Sequence, residues 1–226
     1  MSRTRAVIVE LVGPAGAGKT TLARGASDTD SSIKSGLSLW GLPKRRLIGS
    51  AIALLPTILG ARLHGAPLST GEIAQMIRLG ALRHIVEEES KRHRVILLDE
   101  GPVFALSWLD VIFARNGDGS RVPAEWRKRM IAQWAQLLDV VVFIDATDIT
   151  LANRIRSREK PHEVKGLSDE EIFGFSDAFR RAFERSIGDL AKVGNLVVDT
   201  LSTETGPLNE NTARLMSRLK VRRNGH

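Results

Sequence analysis

The sequence predicts an α/β fold, a parallel sheet with helices on both faces, and three observations carry that prediction. Four short apolar runs, "AVIVELV" (6–12), "VILLD" (95–99), "VVVFIDA" (140–146) and "NLVVDT" (195–200), are rich in Val, Ile and Leu without strict alternation. Strands covered on both faces read this way. Helical patterns lie between these runs, and a helix between two strands makes the strands parallel. The glycine-rich stretch "GPAGAGKT" (13–20) follows the first run directly.

Each element has its own justification. Residues 72–92 carry Ile73, Met76, Ile77, Gly80, Ala81, His84 and Ile85 at spacings of three and four, one face of a helix. Residues 124–138 carry Trp126, Met130, Ile131, Trp134, Leu137 and Leu138, with Pro123 suited to the first turn. A third helix starts at "SDEE", where Ser168 and Glu171 have the spacing of a capping box, and runs through Phe175, Phe179, Phe183 and Leu190. A fifth strand is expected within 28–42, without a clear pattern to mark it. The segments 116–120, 158–166, 202–211 and the basic end "RRNGH" are expected to be mobile, because they combine turn formers with little apolar anchoring.

Composition narrows the chemistry. The 226 residues suit one domain, and 42% are hydrophobic, enough for a core. Lys and Arg number 33 against 26 Asp and Glu, a net +7 with a pI near 10.2, which suits an anionic partner. The absence of cysteine excludes disulfides, thiolate metal sites and cysteine nucleophiles, and fits a reducing, cytoplasmic setting. The five histidines have no metal-ligand spacing. Glu10 and the glycine loop argue for a buried first strand rather than a secretion signal. The run "LIGSAIALLPTILGA" (47–61) is divided by Pro56 and shorter than a bilayer needs, so no transmembrane helix is expected. It is read as a core helix or a homodimer contact, with a lipid-facing surface as the alternative.

The stretch 13–20 fits G-x-x-x-x-G-K-[ST] without mismatch. In such a P-loop the backbone N–H groups of Gly13, Pro14, Ala15, Gly16, Ala17 and Gly18 (Pro14 excepted, having none) and the start of the next helix, Lys19–Thr20–Thr21, surround phosphate. Lys19 reaches the β- and γ-phosphates of ATP, and the Thr20 hydroxyl binds Mg²⁺. The run "RVILLDEGPVF" (94–104) ends a strand in two acids. Asp99 is the candidate second Mg²⁺ ligand, and either Asp99 or Glu100 could take the proton of an acceptor hydroxyl or orient water. "VVVFIDATDITLANRIRSREK" (140–160) leads from a strand into a helix crowded with cations. Arg154 and Arg158, four apart, are expected on one helical face as a clamp for a transferring phosphoryl group.

The order of P-loop, "DEGP" and strand–"DAT"–helix with "RIRSR" resembles the P-loop nucleoside and nucleotide kinases, such as thymidylate kinase and the deoxynucleoside kinases. The resemblance covers the layout of about residues 6–200 through three short motifs. It implies a three-layer α/β/α P-loop fold with a five-stranded parallel sheet, a lid over about 154–167, Arg154 near the adenine of ATP and Arg158 near its phosphates. It also implies an acceptor side within 36–92, where Trp40, Arg45, Arg46, Arg62, His64, Arg78 and Arg83 are candidates. Glu100 stands where these families usually carry an arginine, and Phe179 and Phe183 stand where a tyrosine is frequent, so no particular acceptor follows. The expected function is an ATP- and Mg²⁺-dependent phosphotransferase acting on a small molecule, a nucleoside or nucleotide among the candidates. A P-loop ATPase with a mechanical or regulatory role and a nucleic-acid end kinase are the alternatives; outside the second of these, nucleic acid is not the expected partner.

Overall fold

The computed structural model describes residues 5–115, 119–159 and 163–223. The elements run β1 (Val7–Val12), α1 (Lys19–Thr29), β2 (Ile33–Ser38), α2 (Lys44–Leu63), α3 (Thr70–Glu89), β3 (Val95–Glu100), α4 (Pro102–Arg115), α5 (Ala124–Ala135), β4 (Val140–Asp145), α6 (Asp148–Ser157), α7 (Asp169–Ala191), β5 (Val197–Ser202) and α8 (Leu208–Arg223). The five strands form one parallel sheet in the order β2-β3-β1-β4-β5. Helices cover both faces, giving three layers. Alternation along β1 divides the core: Ile8 and Val12 pack with α3, α4, α5 and α7, while Val7, Val9 and Leu11 pack with α1 and α8. The fifth strand falls at 33–38, inside the expected window, where "IKSGLS" has too few apolar residues to announce it.

Several expectations are corrected. The last strand is not covered on both faces: β5 lies at the sheet edge, with Val197, Asp199 and the buried Leu201 on its covered side and Val198, Thr200 and Ser202 exposed. The segment 202–211 is not a loose loop, since Ser202 ends β5 and Leu208 begins α8. Glu204 between them accepts hydrogen bonds from the Thr147 amide at 2.7 Å and the Thr150 hydroxyl at 2.8 Å. The helix α4 was not anticipated. Its sequence "PVFALSWLDVIFAR" is apolar nearly all round, as a helix buried between sheet and α7 must be, so it has no amphipathic period to detect. Within the other expected mobile segments, 116–118, 160–162 and 224–226 lie outside the described residues.

Pro56 does not divide the run 47–61. α2 is continuous through it over 20 residues. Proline removes one intrahelical hydrogen bond and usually kinks a helix. Only Leu54 and Ala61 of α2 are fully buried, and Ser50 packs on Gly80 of α3, where a Cβ would come within 2.5 Å of its hydroxyl. The expectation of a core helix therefore fails for the outer face. Among the described residues α2 is the one helix long and apolar enough to cross a membrane, with mean hydropathy 1.4 over its best window.

Candidate active site

The phosphate loop is fixed from both sides. Gly13 follows β1 so closely on β4 that a Cβ there would stand 1.9 Å from the Ile144 carbonyl oxygen. Gly18 has φ +90°, a left-handed conformation that favours glycine, and it caps α1 without any side-chain hydrogen bond. The first amides of α1 thus keep their donors for an anion. Lys19 is half-buried, and its Nζ donates to the carbonyls of Gly13 at 2.7 Å and Pro14 at 3.0 Å. Burial pushes its pKa down, while the nearby Asp99 and Glu100 carboxylates pull it back up.

Opposite the loop stands the end of β3. The Thr20 hydroxyl donates to Asp99 Oδ2 at 2.5 Å. Asp99 Oδ1 and Glu100 Oε2 are buried with no hydrogen-bond partner. Buried carboxylate oxygens are costly to leave unpaired, and oxygen ligands of this kind suit a hard divalent cation. Thr20 and Asp99 therefore fit Mg²⁺. Burial, reinforced by the neighbouring Asp99 charge, pushes Glu100 up to about 7, against the opposing effects of Lys19 and a hydrogen bond from the Trp40 side chain.

The turn after Glu100 is held by a residue that the sequence presents merely as an interruption of an apolar strand. Glu10 is completely buried. Its carboxylate accepts from the amides of Gly101 at 3.0 Å, Val103 at 2.9 Å and Phe104 at 2.9 Å, capping α4 from a different strand. Burial pushes Glu10 up to about 7 even though the three amide bonds favour its charged form. Gly101 admits this contact, because a Cβ there would lie 2.8 Å from Glu10 Cδ.

Between loop and acids opens a cavity of about 240 Å³. Its polar lining is Lys19, Thr20, Asp99, Glu100, Arg158 and Glu163; its aromatic lining is Trp40, Phe104, Trp108, Phe175, Phe179 and Phe183. Phe175, Phe179 and Phe183 follow each other on one face of α7 with ring centroids 4.9 and 5.5 Å apart, and Phe104 of α4 stacks on Phe179 at 6.3 Å. From residues 36–92 the cavity takes Trp40; α4 and α7 supply the rest of the aromatic wall. Arg78 lies over the Trp40 ring at 4.2 Å, which steadies that side chain. Arg83 pairs with Glu87 and Arg46 with Glu88, whereas Arg45 lines a separate hollow with Arg46, Lys91 and Arg92. His64 bonds to the Gly60 carbonyl on its own helix.

Arg154 and Arg158 do not share a helical face. α6 ends at Ser157, and Arg158 is already extended at φ −64°, ψ 138°. Arg154 points to the outer rim of the loop, donating to the Thr203 carbonyl at 2.7 Å, the Thr203 hydroxyl at 3.1 Å and the Gly16 carbonyl at 3.4 Å. Arg158 lines the cavity beside Lys19. Arg156 bridges to Asp169 at 2.5 Å, which ties the segment to the start of α7. The lid region also has the apolar anchor it was expected to lack, since Val164 is fully buried in the main core. Lys160, Pro161 and His162 lie outside the described residues. The "DAT" turn is held by Arg180 of α7, which donates to Asp145 at 2.8 Å and Asp148 at 2.6 Å. Among the described residues no group of three metal-ligating side chains is found.

The architecture matches solved P-loop kinases. Thymidylate kinase from Candida albicans aligns over 100% of this chain and 96% of its own, with TM-score 0.60 and 14% identity. Deoxyadenosine kinase from M. mycoides, solved with dCMP and dCDP, aligns over 95% of this chain and 100% of its own, with TM-score 0.56 and 15% identity. The YorR protein from Bacillus subtilis, solved with phosphorylated GDP, gives 0.54 and 13% over 97% and 99% of the two chains. At such identities the likeness shows the fold, a three-layer P-loop kinase-like α/β/α arrangement. No protein-family model matches the chain, and no curated protein matches it in sequence.

Proposed function

We propose that this chain is a kinase that transfers the γ-phosphoryl group of ATP to a hydroxyl of a small, ring-bearing acceptor that carries no phosphate. The observation that carries this reading is the single cavity that joins Lys19 and Thr20 to Glu100 and then to an aromatic wall. The neighbours with bound deoxynucleotides support the choice of a nucleotide donor.

The roles follow from position. The loop amides from Ala15 to Gly18 and the first turn of α1, including Thr21, surround the phosphates. Lys19 exchanges its two loop carbonyls for β- and γ-phosphate oxygens. Thr20 and Asp99 would hold Mg²⁺, which when bound neutralises charge on the phosphates. Arg154, against Thr203 and the loop rim, faces the base of ATP, and Arg158 meets the equatorial oxygens in the transition state. Glu100 accepts the acceptor's hydroxyl proton as the oxygen attacks phosphorus and the bond to the β-phosphate oxygen breaks, leaving ADP. Its buried setting keeps a carboxylate basic enough for that task.

Among the described residues two cations line the cavity, Lys19 and Arg158; both belong to the donor phosphates, while Glu100 and Glu163 add negative charge. An acceptor phosphate would find repulsion there; a neutral nucleoside-like ring or a hydroxylated organic cation would find aromatic faces. The reaction is assigned to the cytoplasm, where ATP is available. The test is a transfer assay with labelled ATP across nucleosides, nucleoside monophosphates, sugars, amino alcohols and polyprenols. Transfer to an unphosphorylated ring alcohol is expected. Transfer confined to monophosphates, or hydrolysis independent of any acceptor, would overturn the reading.

A further inference from the structure

The outer face of α2 is unusual for a surface helix. Ile48 is 60% exposed, Ile52 62%, Leu55 50%, Leu59 59% and Leu63 85%. Spaced at four, three, four and four, they form one stripe along the whole helix. With Trp40 they make up more than half of the exposed large apolar side chains among the described residues. No acidic residue occurs in α2, and no charged residue interrupts it between Arg46 and Arg62.

The ends of the stripe are cationic. Lys44 and Arg45 begin the helix, Arg62 closes it, and Lys91 stands beside Arg45 in the adjoining hollow. These four form no ion pair among the described residues. The acids that share the hollow with Arg45 and Lys91 are already engaged, Glu88 with Arg46 and Glu89 with Arg92 and His93. A second copy of this face would set cation against cation, whether the two helices met parallel or antiparallel. An anionic lipid layer offers apolar matter to the stripe and negative charge to both ends.

We propose that α2 is a membrane-surface helix, lying with its apolar stripe in the interface of an anionic lipid layer. It lies on the layer and does not cross it, because its inner face is committed to the protein through Leu54, Ala61 and the contact of Ser50 with Gly80. Trp40, half exposed four residues ahead of the helix, extends the apolar surface toward the cavity mouth. Pro56 and Gly49 also lie on the exposed side and add no polar group to it.

The proposal does not depend on the phosphotransferase reading, since vesicle binding is measured without ATP. The full chain is floated with phosphatidylcholine vesicles, with and without phosphatidylglycerol. Binding to the anionic vesicles is expected, at least about tenfold stronger than to neutral ones and weakened by salt. The double variant Ile52→Asp/Leu59→Asp should abolish it, and the milder Ile52→Ser/Leu59→Ser should weaken it. Both side chains are exposed, so the thermal midpoint should stay put. The triple variant Lys44→Glu/Arg45→Glu/Arg62→Glu should lower partitioning by roughly 100-fold. Three results would each overturn the proposal. One is no binding to either vesicle. Another is a lipid-free dimer that Ile52→Asp/Leu59→Asp dissociates, which would make the face a self-contact. The third is retention through alkaline carbonate washing, which would make α2 a spanning helix.

Discussion

Lys19 donates to two carbonyls of its own loop, in the place where phosphate oxygens would lie. Its ammonium is partly desolvated, and under the proposed function phosphate oxygens would replace the two carbonyls as its partners. Lys19→Ala should therefore lower phosphoryl transfer by roughly 10² or more, while the thermal midpoint changes little. Equal turnover in the variant would remove the loop from the mechanism. The adjacent acids are distinguished by their neighbours. Asp99 is bonded to Thr20, Glu100 to Trp40 inside the aromatic cavity. Asp99→Asn should raise the Mg²⁺ concentration needed for half-maximal rate. Glu100→Gln should cut kcat by about 10²–10³ with the KM for ATP nearly unchanged, as expected when a general base is lost. A titration of rate against Mg²⁺ for both variants separates the two roles, and a shared metal phenotype would refute the division.

At the scale of elements, the segment after α6 is anchored at both ends. Val164 is buried in the core and Arg156 reaches Asp169. The Arg156–Asp169 pair is exposed, so it adds little stability on its own; it sets where the chain turns back toward α7. Arg158, between these anchors, is extended and faces the cavity. Arg158→Ala should reduce kcat more than it raises the KM for ATP, because its charge matters most while the phosphoryl group is in transit. Arg154→Ala, by contrast, should raise the KM for ATP, since Arg154 packs on Thr203 and the loop rim rather than over the cavity. Steady-state kinetics with ATP varied would reveal whether the two arginines divide in this way.

For the molecule as a whole, one fully buried and one half-buried glutamate make stability depend on pH. Glu10 and Glu100 are both pushed up to about 7 in the folded chain, while in the unfolded chain they return to the ordinary carboxylate range. Between those limits the folded state keeps protons that the unfolded state has released. Stability therefore falls as pH rises through that window, by about 3 kcal/mol for a fully buried group such as Glu10. Thermal midpoints measured from pH 5 to 8 should decline. In Glu10→Gln the decline should be shallower, with the part due to Glu100 remaining. The same variant should also be less stable at pH 5, because an amide cannot accept from all three amides at the start of α4 without opposing its own N–H₂ group to them. A variant with an unchanged pH slope would show that Glu10 titrates normally.

The sequence by itself determined four of the five strands, the loop and most of the proposed donor site. Those features are local: valine-rich strands, a glycine–lysine turn and a strand ending in two acids each follow from neighbours in the chain. The capping box at Ser168 and Glu171 formed as its spacing required. Tertiary structure decided what depends on residues far apart. Glu10 caps α4 across about ninety residues, and Phe104 meets Phe179 only because α4 and α7 pack against each other. Arg154 and Arg158 look equivalent by spacing, yet the helix ends between them and sends one to the loop rim and the other to the cavity. In α2, the run of apolar residues reads the same whether a helix is buried or exposed. The single packed stripe against α3 left its other side open, since hydrophobicity specifies what a residue prefers and not which neighbours the fold provides.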